Sequence, residues 1–404
     1  MNRQPFGIPP RRWEPNLSRW LVRATRRYRR RIIRKQLIQD IEIEQSEHLT
    51  SAIAANKGIM ICPNHSTHYD SNCLYAAADD LNTALYFMTA WQVFGVSSRW
   101  EQWALQRSGC FSVNREGNDR AAFKQAIDIL QKEPEPLVIF PEGDIYHISD
   151  YVMPFREGAA AIALGAARKA DRPIVVVPCA IRFWYLEDPT PRLEHQTAEL
   201  EERIYLHSDS RNPVRERILK LSEALLALKE VDYIGKTRSG ELPERLRFLT
   251  DFVLTQLEDT YCLARKDFGT PERVKQIRQH LIDAFDKACS NKSAGQATLS
   301  LDMLQDMEDL FFAVQLFSYR GDYLSGKPRI ERIAETLDKL EEDLLDRPSP
   351  TVRGKRKVVI RFGQPIELPK EKGGRSQVSE LTKQMQASVQ GLLDETGATP
   401  NRDF

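Results

Sequence analysis

The sequence predicts an α/β fold in which a layered sheet is flanked by helices and carries a mostly α-helical insertion. Over the first half of the chain, short apolar runs alternate with helix-forming segments, which is the pattern of strands buried in such a sheet. Strand signals become sparse between residues 188 and 350, and a β pattern returns at Lys357–Phe362. The predicted buried strands are Ile59–Cys62, Leu85–Met88, Leu137–Phe140 and Ile174–Val177.

Length and composition favour a protein with more than one structural region. The chain has 404 residues, of which 41% are hydrophobic and 28% charged, with a net charge of +1. Its six cysteines are scattered and form no C-x-x-C pair, which favours reduced thiols over disulfides or a zinc site. We find neither an apolar run of about 18 residues nor the apolar centre of a signal peptide. We therefore expect a cytoplasmic protein whose membrane contact is peripheral.

Residues 1–45 form a basic N-terminal segment. From Arg11 to Lys35 there are eleven arginine or lysine residues and one glutamate, and apolar residues recur at helical spacing from Trp13 to Ile32. This pattern predicts a basic amphipathic helix that lies on the inner face of a membrane containing anionic lipids. The alternative is a helix packed on the core with its basic face in solvent. We expect no nucleic acid partner, because charge is the only feature that would favour one.

Residues 46–187 form the predicted core domain. An alternating pattern at Ile38–Glu44 predicts an edge strand before it, and Gly109–Arg115 predicts a short strand that ends in a turn. The stretch Ala90–Gln106 is rich in large aromatic side chains, which either pack in the core, line an acyl pocket or contact lipid headgroups. The predicted helices of this region are Ser46–Asn56, Ser71–Asp80, Asp119–Gln131 and Gly158–Ala170.

The remainder of the chain divides into three predicted parts. Residues 188–350 show leucine periodicity and form the helical insertion, whose main strand signal is Arg203–His207. Residues 351–369 return to the core as a closing strand. Residues 370–404 form a polar linker with one short helix at Ser376–Glu395.

His65 and Asp70 are the residues best suited to chemistry. They follow the strand that ends at Pro63, and a carboxylate bonded to one imidazole nitrogen leaves the other free to act as a base. Residues five apart on an ideal helix point about 140° away from each other, so His65 must lie in the turn and Asp70 in the first helical turn. Asp70 could alternatively serve only as a helix cap.

Two other kinds of site are weaker alternatives. His65, His68, Asp70 and Cys62 do not have the spacing of a familiar zinc motif, so we expect no metal. Ser66 lacks the G-x-S-x-G sequence that surrounds a nucleophilic serine in α/β-hydrolases.

Six short segments occur along the chain beside the predicted strands. They are N-H-S-T-H-Y-D at 64–70, G-C-F-S-V-N-R at 109–115, F-P-E-G at 140–143, P-F-R-E-G-A-A-A-I-A-L at 154–164, V-P-C-A-I at 177–181 and R-F-G-Q-P-I at 361–366. In this order they resemble the motifs of the glycerolipid acyltransferase family, which includes lysophosphatidic acid and glycerol-3-phosphate acyltransferases. The resemblance covers residues 50–187 and 355–368.

The resemblance implies transfer of an acyl group from acyl-CoA or acyl carrier protein to a hydroxyl of a lysolipid acceptor, in phospholipid biosynthesis. His65 would be the base, Asp70 its orienting partner, and Arg115 the ligand of the acceptor phosphate. No cofactor is expected beyond the acyl donor, which is a co-substrate. The other residues implied in substrate binding are Asn64, Phe140, Pro141, Glu142 and Gly143.

Two features depart from the family pattern. The family continues P-E-G with Thr-Arg, whereas this chain has Asp144 and Ile145, so a carboxylate appears and a cation is lost. Either Arg156 compensates or the acceptor carries less charge. Another possibility is an acyltransferase whose acceptor is glycerol 3-phosphate, an amino lipid or a neutral alcohol. The insertion is the second departure. A membrane lipid-binding module without turnover is the alternative from another functional class.

Overall fold

The computed structural model divides the chain into two compact units. One unit comprises residues 192–347, and the other comprises residues 11–191 together with 349–396. The structure describes residues 11–115, 119–264, 268–290, 301–347, 349–371 and 374–396. The exact boundaries of the five segments inferred from the sequence stay a prediction.

The larger unit is built on one sheet, which confirms the predicted α/β fold. Within the described residues the sheet has eight strands in the spatial order β1-β7-β6-β2-β5-β3-β4, with β8 also paired to β6. Strands β2, β3, β4, β5 and β6 are parallel, whereas β7 and β8 run antiparallel to β6. The strands are β1 Ile38–Glu44, β2 Gly58–Pro63, β3 Tyr86–Ala90, β4 Cys110–Val113, β5 Leu137–Val138, β6 Ile174–Tyr185, β7 Arg356–Phe362 and β8 Ile366–Glu367.

The helices of this unit cover both faces of the sheet. Alternate residues of a strand point to opposite faces, so Met60 enters one apolar cluster while Ile59 and Ile61 enter another. Helices α7, α8 and α15 contribute to the Met60 cluster, and α2, α3, α4 and α5 contribute to the other. These helices are α1 Arg19–Ala24, α2 Arg26–Lys35, α3 Glu47–Ala54, α4 Asp70–Asp80, α5 Trp91–Val96, α6 Arg99–Arg107, α7 Arg120–Lys132, α8 Gly158–Ala167 and α15 Arg375–Glu395.

Strand β6 is longer than the apolar run predicted. It continues through Pro178, where the sequence pattern ends, to Tyr185. On one side, β8 pairs with residues 175–176 and β7 pairs with residues 179–185. Pro178 falls between these two partners, so its missing N–H group removes no hydrogen bond from either ladder on that side. Its carbonyl still accepts a bond from Gly363 N at 2.8 Å.

The single helix predicted from Trp13 to Ile32 is wrong in its first part. Residues 11–18 are not helical, and the helix is divided at Thr25 into α1 and α2. Trp13 is held by tertiary contacts instead. The backbone N–H of Trp13 donates to Ser112 Oγ at 2.8 Å, and its indole ring stacks on Phe94 with 5.1 Å between ring centroids. Trp13 therefore packs against Phe94 and lies outside any helix, although the sequence pattern predicted it on the apolar face of one.

Part of the basic character of α2 serves to attach it to α4. Arg29 is buried and its Nη2 lies 2.5 Å from Asp79 Oδ1, while Arg26 and Arg30 both pair with the more exposed Asp80. Other arginines of the two helices stay exposed. They are Arg19, Arg23, Arg27, Arg31 and Arg34.

The smaller unit is helical within the described residues. Its apolar core is formed by leucines and other aliphatic residues of α10, α11, α12 and α13. Its helices are α9 Thr190–Arg203, whose first residues precede the unit, α10 Val214–Ile234, α11 Leu242–Thr260, α12 Thr270–Ser290, α13 Leu301–Ser318 and α14 Ile330–Leu345.

The strand signal at Arg203–His207 is wrong. Helix α9 extends to Arg203, and Tyr205 adopts φ of +57°, which interrupts any extended run. Among the described helices of the chain, none is both long enough and apolar enough to cross a membrane.

The Arg29–Asp79 contact predicts a large loss of stability when one partner is removed. Asp79→Ala would leave a buried guanidinium without its carboxylate, which costs about 3–5 kcal/mol. The neighbouring Asp80→Ala breaks only exposed pairs and should cost about 1 kcal/mol or less. Denaturant unfolding of both variants measures the difference. Equal losses would show that the buried pair does not stabilise the α2–α4 contact.

Candidate active site

The predicted site residues lie beyond the carboxyl ends of parallel strands. His65 follows β2, Phe140 and Glu142 follow β5, and Arg115 follows β4. Because β2, β5, β3 and β4 are consecutive and parallel in the sheet, these segments leave it at the same edge. Ligands of open α/β sheets commonly bind at this edge.

The structure joins His65 and Asp70 by a hydrogen bond. His65 Nδ1 lies 2.9 Å from Asp70 Oδ2, and Asp70 is the first residue of α4, as the turn geometry requires. The carboxylate is fully buried, whereas 18% of the histidine side chain is exposed. With Nδ1 bonded to the carboxylate, Nε2 is the nitrogen left to accept a proton.

Asp70 is fixed by the backbone that precedes it. Its Oδ2 accepts hydrogen bonds from Ser66 N at 2.7 Å and Thr67 N at 2.9 Å. Its Oδ1 is approached by the Thr67 and Ser66 hydroxyls at 3.2 and 3.4 Å. The same carboxylate therefore fixes the turn before α4 and orients His65, and its negative charge lies in the first helical turn, where the helix dipole favours it. The buried Ser66 hydroxyl is directed at this carboxylate.

Phe140 and Glu142 hold His65 from its other side. The Phe140 ring stacks on the imidazole with 4.0 Å between centroids. Glu142 Oε1 accepts a bond from His65 N at 2.7 Å, and its Oε2 accepts one from Met153 N at 3.2 Å. Burial raises the pKa of the Glu142 carboxyl well above its usual range, although the His65 and Met153 N–H groups act in the opposite direction.

Asn64 connects the His65 turn to β6. Its Nδ2 donates to Ile181 O at 3.1 Å, and its Oδ1 accepts from Ile181 N at 2.8 Å. The side chain is fully buried. In this structure Asn64 positions the backbone before His65, and its predicted contact with substrate stays a prediction.

Arg115 reaches the F-P-E-G turn. Its Nη1 donates a hydrogen bond to the carbonyl of Gly143, and its Nε is buried without a hydrogen-bond partner among the described residues. Gly143 has φ of +76°, which favours glycine. A Cβ at this position would lie 2.6 Å from Arg156 Nε, so close approach of Arg156 also requires glycine here.

Pro141 completes the turn. It is buried, and its carbonyl accepts a bond from Arg156 N at 2.8 Å. A second turn bond joins Gly143 N to Phe140 O at 3.1 Å. The structure therefore brings all the predicted site residues to one edge of the sheet, in two groups centred on His65 and on Gly143.

The contacts of Ile181 and Met153 with these groups were not anticipated from the sequence. Ile181 lies 117 residues beyond Asn64, and only its backbone takes part. No pattern of side chains signals such a contact.

Cys62, one of the residues weighed for a metal site, is a buried thiol, and burial raises its pKa well above the usual range. The expectation that no metal binds here stays a prediction. The described free cysteines are Cys62, Cys73, Cys110, Cys179 and Cys262.

Comparison with known families supports an acyltransferase. Residues 40–182 match the family model described as Acyltransferase. The matched region runs from β1 into β6 and includes His65, Asp70, Arg115 and the F-P-E-G turn. A search of curated proteins found no matching sequence. Residues 40–182 are thus similar to an acyltransferase domain, and acyl transfer is the chemistry that this match supports.

The raised pKa of Glu142 predicts a pH dependence of stability. A carboxyl whose pKa is higher in the folded state contributes stability below its unfolded pKa, of about 4.3, and this contribution is lost as pH rises through the folded pKa. Glu142→Gln does not titrate. We expect the unfolding free energy of the wild type, relative to this variant, to fall as pH rises above about 4.3.

Chemical denaturation across pH measures that difference, with Glu157→Gln at an exposed position as the matched control. The hydrogen bond lost in Glu142→Gln changes the unfolding free energy by the same amount at every pH. The change of the free-energy difference with pH therefore reports the titration of Glu142. A wild-type curve parallel to that of Glu142→Gln would contradict the prediction.

Proposed function

We propose that the protein transfers a fatty acyl group from a thioester, acyl-CoA or acyl carrier protein, to a hydroxyl of a lysophospholipid. The observation that carries the proposal is the His65–Asp70 pair, whose 2.9 Å bond leaves Nε2 available as a base. The matched acyltransferase region supports the type of reaction. The motifs of residues 64–70 and 140–143 support a glycerolipid acceptor.

The reaction needs one proton to move twice. Nε2 of His65 accepts the proton of the acceptor hydroxyl while the hydroxyl oxygen attacks the thioester carbonyl carbon. Asp70 stabilises the imidazolium that forms. The C–S bond then breaks, and the departing thiolate receives the proton from Nε2. An ester and a free thiol result, so no covalent acyl-enzyme is required.

Arg115 is suited to hold the phosphate of the acceptor. The Gly143 carbonyl fixes one end of the guanidinium, while the buried Nε retains an unused donor within the described part of the chain. A planar guanidinium binds phosphate oxygens through several donors at once. A phosphate bound here would place the acceptor beside the turn that also contacts His65 through Glu142.

An exposed aromatic and basic surface supports the proposed peripheral contact with anionic membranes on their inner face. Trp20 is 76% exposed and Trp100 is 70% exposed, which is unusual for tryptophan. Trp100 stacks on Trp103 with 4.6 Å between centroids. The segment before α1 joins α6 through a bond of 2.9 Å from Ser18 N to Arg107 O. Tryptophan and arginine together favour the interface of an anionic bilayer.

The catalytic role of His65 predicts a specific loss of activity. His65→Ala should lower kcat/KM by at least about 100-fold, because general base catalysis typically contributes this much or more. The exposed His195→Ala should retain activity. Initial rates with acyl-CoA, acyl carrier protein and a panel of lysolipids measure the effect. Full activity of folded His65→Ala would overturn the mechanism.

A wild type without turnover for any donor and acceptor would instead favour the lipid-binding module. The activity of the wild type therefore distinguishes two cases. In one the protein has no acyltransferase activity, and in the other it is an active acyltransferase whose base is a residue other than His65.

The exposed tryptophans predict binding to vesicles. Trp100→Ala with Trp103→Ala should reduce sedimentation with vesicles of phosphatidylcholine and phosphatidylglycerol several-fold, because interfacial aromatic area is lost. The variant should keep its activity on a short-chain acceptor in solution. Val231→Ala, an exposed apolar residue of the smaller unit, is the control. Unchanged sedimentation of the double variant would exclude this surface from membrane contact.

A further inference from the structure

A cluster of three charged residues surrounds the end of the F-P-E-G turn. It consists of Arg115, Arg156 and Asp144, and Gly143 lies among them. Arg115 donates to the Gly143 carbonyl, and the Arg156 side chain passes where a Cβ of residue 143 would be. Asp144 is the next residue along the chain. The two guanidinium groups therefore lie at one turn beside the proposed acceptor site, and the Asp144 carboxylate, on the next residue, interacts electrostatically with both.

The Asp144 side chain is held in this cluster by its own backbone. Its Oδ1 accepts a hydrogen bond from Ile145 N at 2.9 Å. Burial alone would raise the pKa of Asp144, but Arg115, the Ile145 N–H and Arg156 outweigh it, and the pKa is lowered. The carboxylate is thus ionised at neutral pH and offsets one of the two positive charges.

The cluster keeps the equivalent of one positive charge for a ligand. A phosphomonoester carries a charge of about −1.5 to −2 at pH 7 because its second pKa is about 6. A phosphodiester has no second ionisation and carries one negative charge. The monoester would place its additional charge near the Asp144 carboxylate, and the repulsion between like charges at a binding site weakens binding.

We propose that Asp144 is a specificity-determining residue that makes the acceptor site select a phosphodiester rather than a phosphomonoester. The acceptor class is then a lysophospholipid that retains a headgroup, instead of lysophosphatidic acid. The inference rests on the proposed function, because the phosphate is taken to bind at Arg115. It assigns to Asp144 a role in binding that is separate from the chemistry at His65.

Asp144→Asn tests the charge with little change of shape. The amide keeps an oxygen that accepts the Ile145 N–H, so the turn is preserved while the negative charge is removed. We expect kcat/KM for lysophosphatidic acid to rise about tenfold, mainly through a lower KM, because the repulsion is relieved. Activity on lysophosphatidylglycerol with the same acyl chain should change little.

Two further variants connect the gain to the cluster. In Arg115→Ala with Asp144→Asn, the gain for the monoester should disappear, because the guanidinium that binds it is absent. Asp128→Asn, which removes a partly exposed carboxylate on α7, should leave the ratio of the two acceptors unchanged.

A binding measurement separates failure of this inference from failure of the proposed function. Calorimetry measures the binding of glycerol 3-phosphate, a phosphomonoester, and of its monomethyl phosphate ester, a phosphodiester. Neither measurement requires acyl transfer. Asp144→Asn should strengthen binding of the monoester about tenfold relative to the diester. If this shift occurs without turnover in any variant, the inference holds and the proposed reaction is wrong. An unchanged monoester-to-diester ratio, in both binding and kinetics, would overturn the role of Asp144.

Discussion

The proposed site depends on the hydrogen bonds that the buried Asp70 carboxylate accepts. One oxygen accepts bonds from two backbone N–H groups and from the His65 ring, so a single buried charge fixes the turn, begins α4 and orients the imidazole. A buried carboxylate is stable only when such bonds satisfy it. Removing any of the three would affect the other two. The geometry of the base is therefore inseparable from the local fold.

The sheet brings distant segments to this carboxylate. Glu142 ties the F-P-E-G turn to the His65 backbone, and Asn64 ties the turn that carries His65 to β6. Phe140 fills the space against the imidazole ring. Each of these side chains follows or faces a parallel strand, so the strand order sets their separation. The charged cluster at Gly143 is joined to this arrangement through the F-P-E-G turn. This turn therefore links acceptor recognition to the position of His65.

Local patterns predicted the elements of the fold well where burial alone decides structure. The apolar runs identified β2 and β3, and the meeting of His65 with Asp70 follows from the turn after Pro63. Tertiary contacts decided the rest. Trp13 satisfies a helical pattern yet contacts Phe94, and β6 continues past Pro178 because its neighbouring strand changes there. The pairing of Asn64 with the Ile181 backbone has no side-chain signal at all.

In the proposed mechanism Asp70 acts through His65, and a double-mutant cycle in acyl-transfer kinetics measures this coupling. We expect Asp70→Asn and His65→Ala each to lower kcat/KM, and the double variant to be no worse than His65→Ala alone, because residues that act as a unit are not additive. Folding of each variant is followed by circular dichroism. Losses that multiply in the folded double variant would show instead that the two residues act independently.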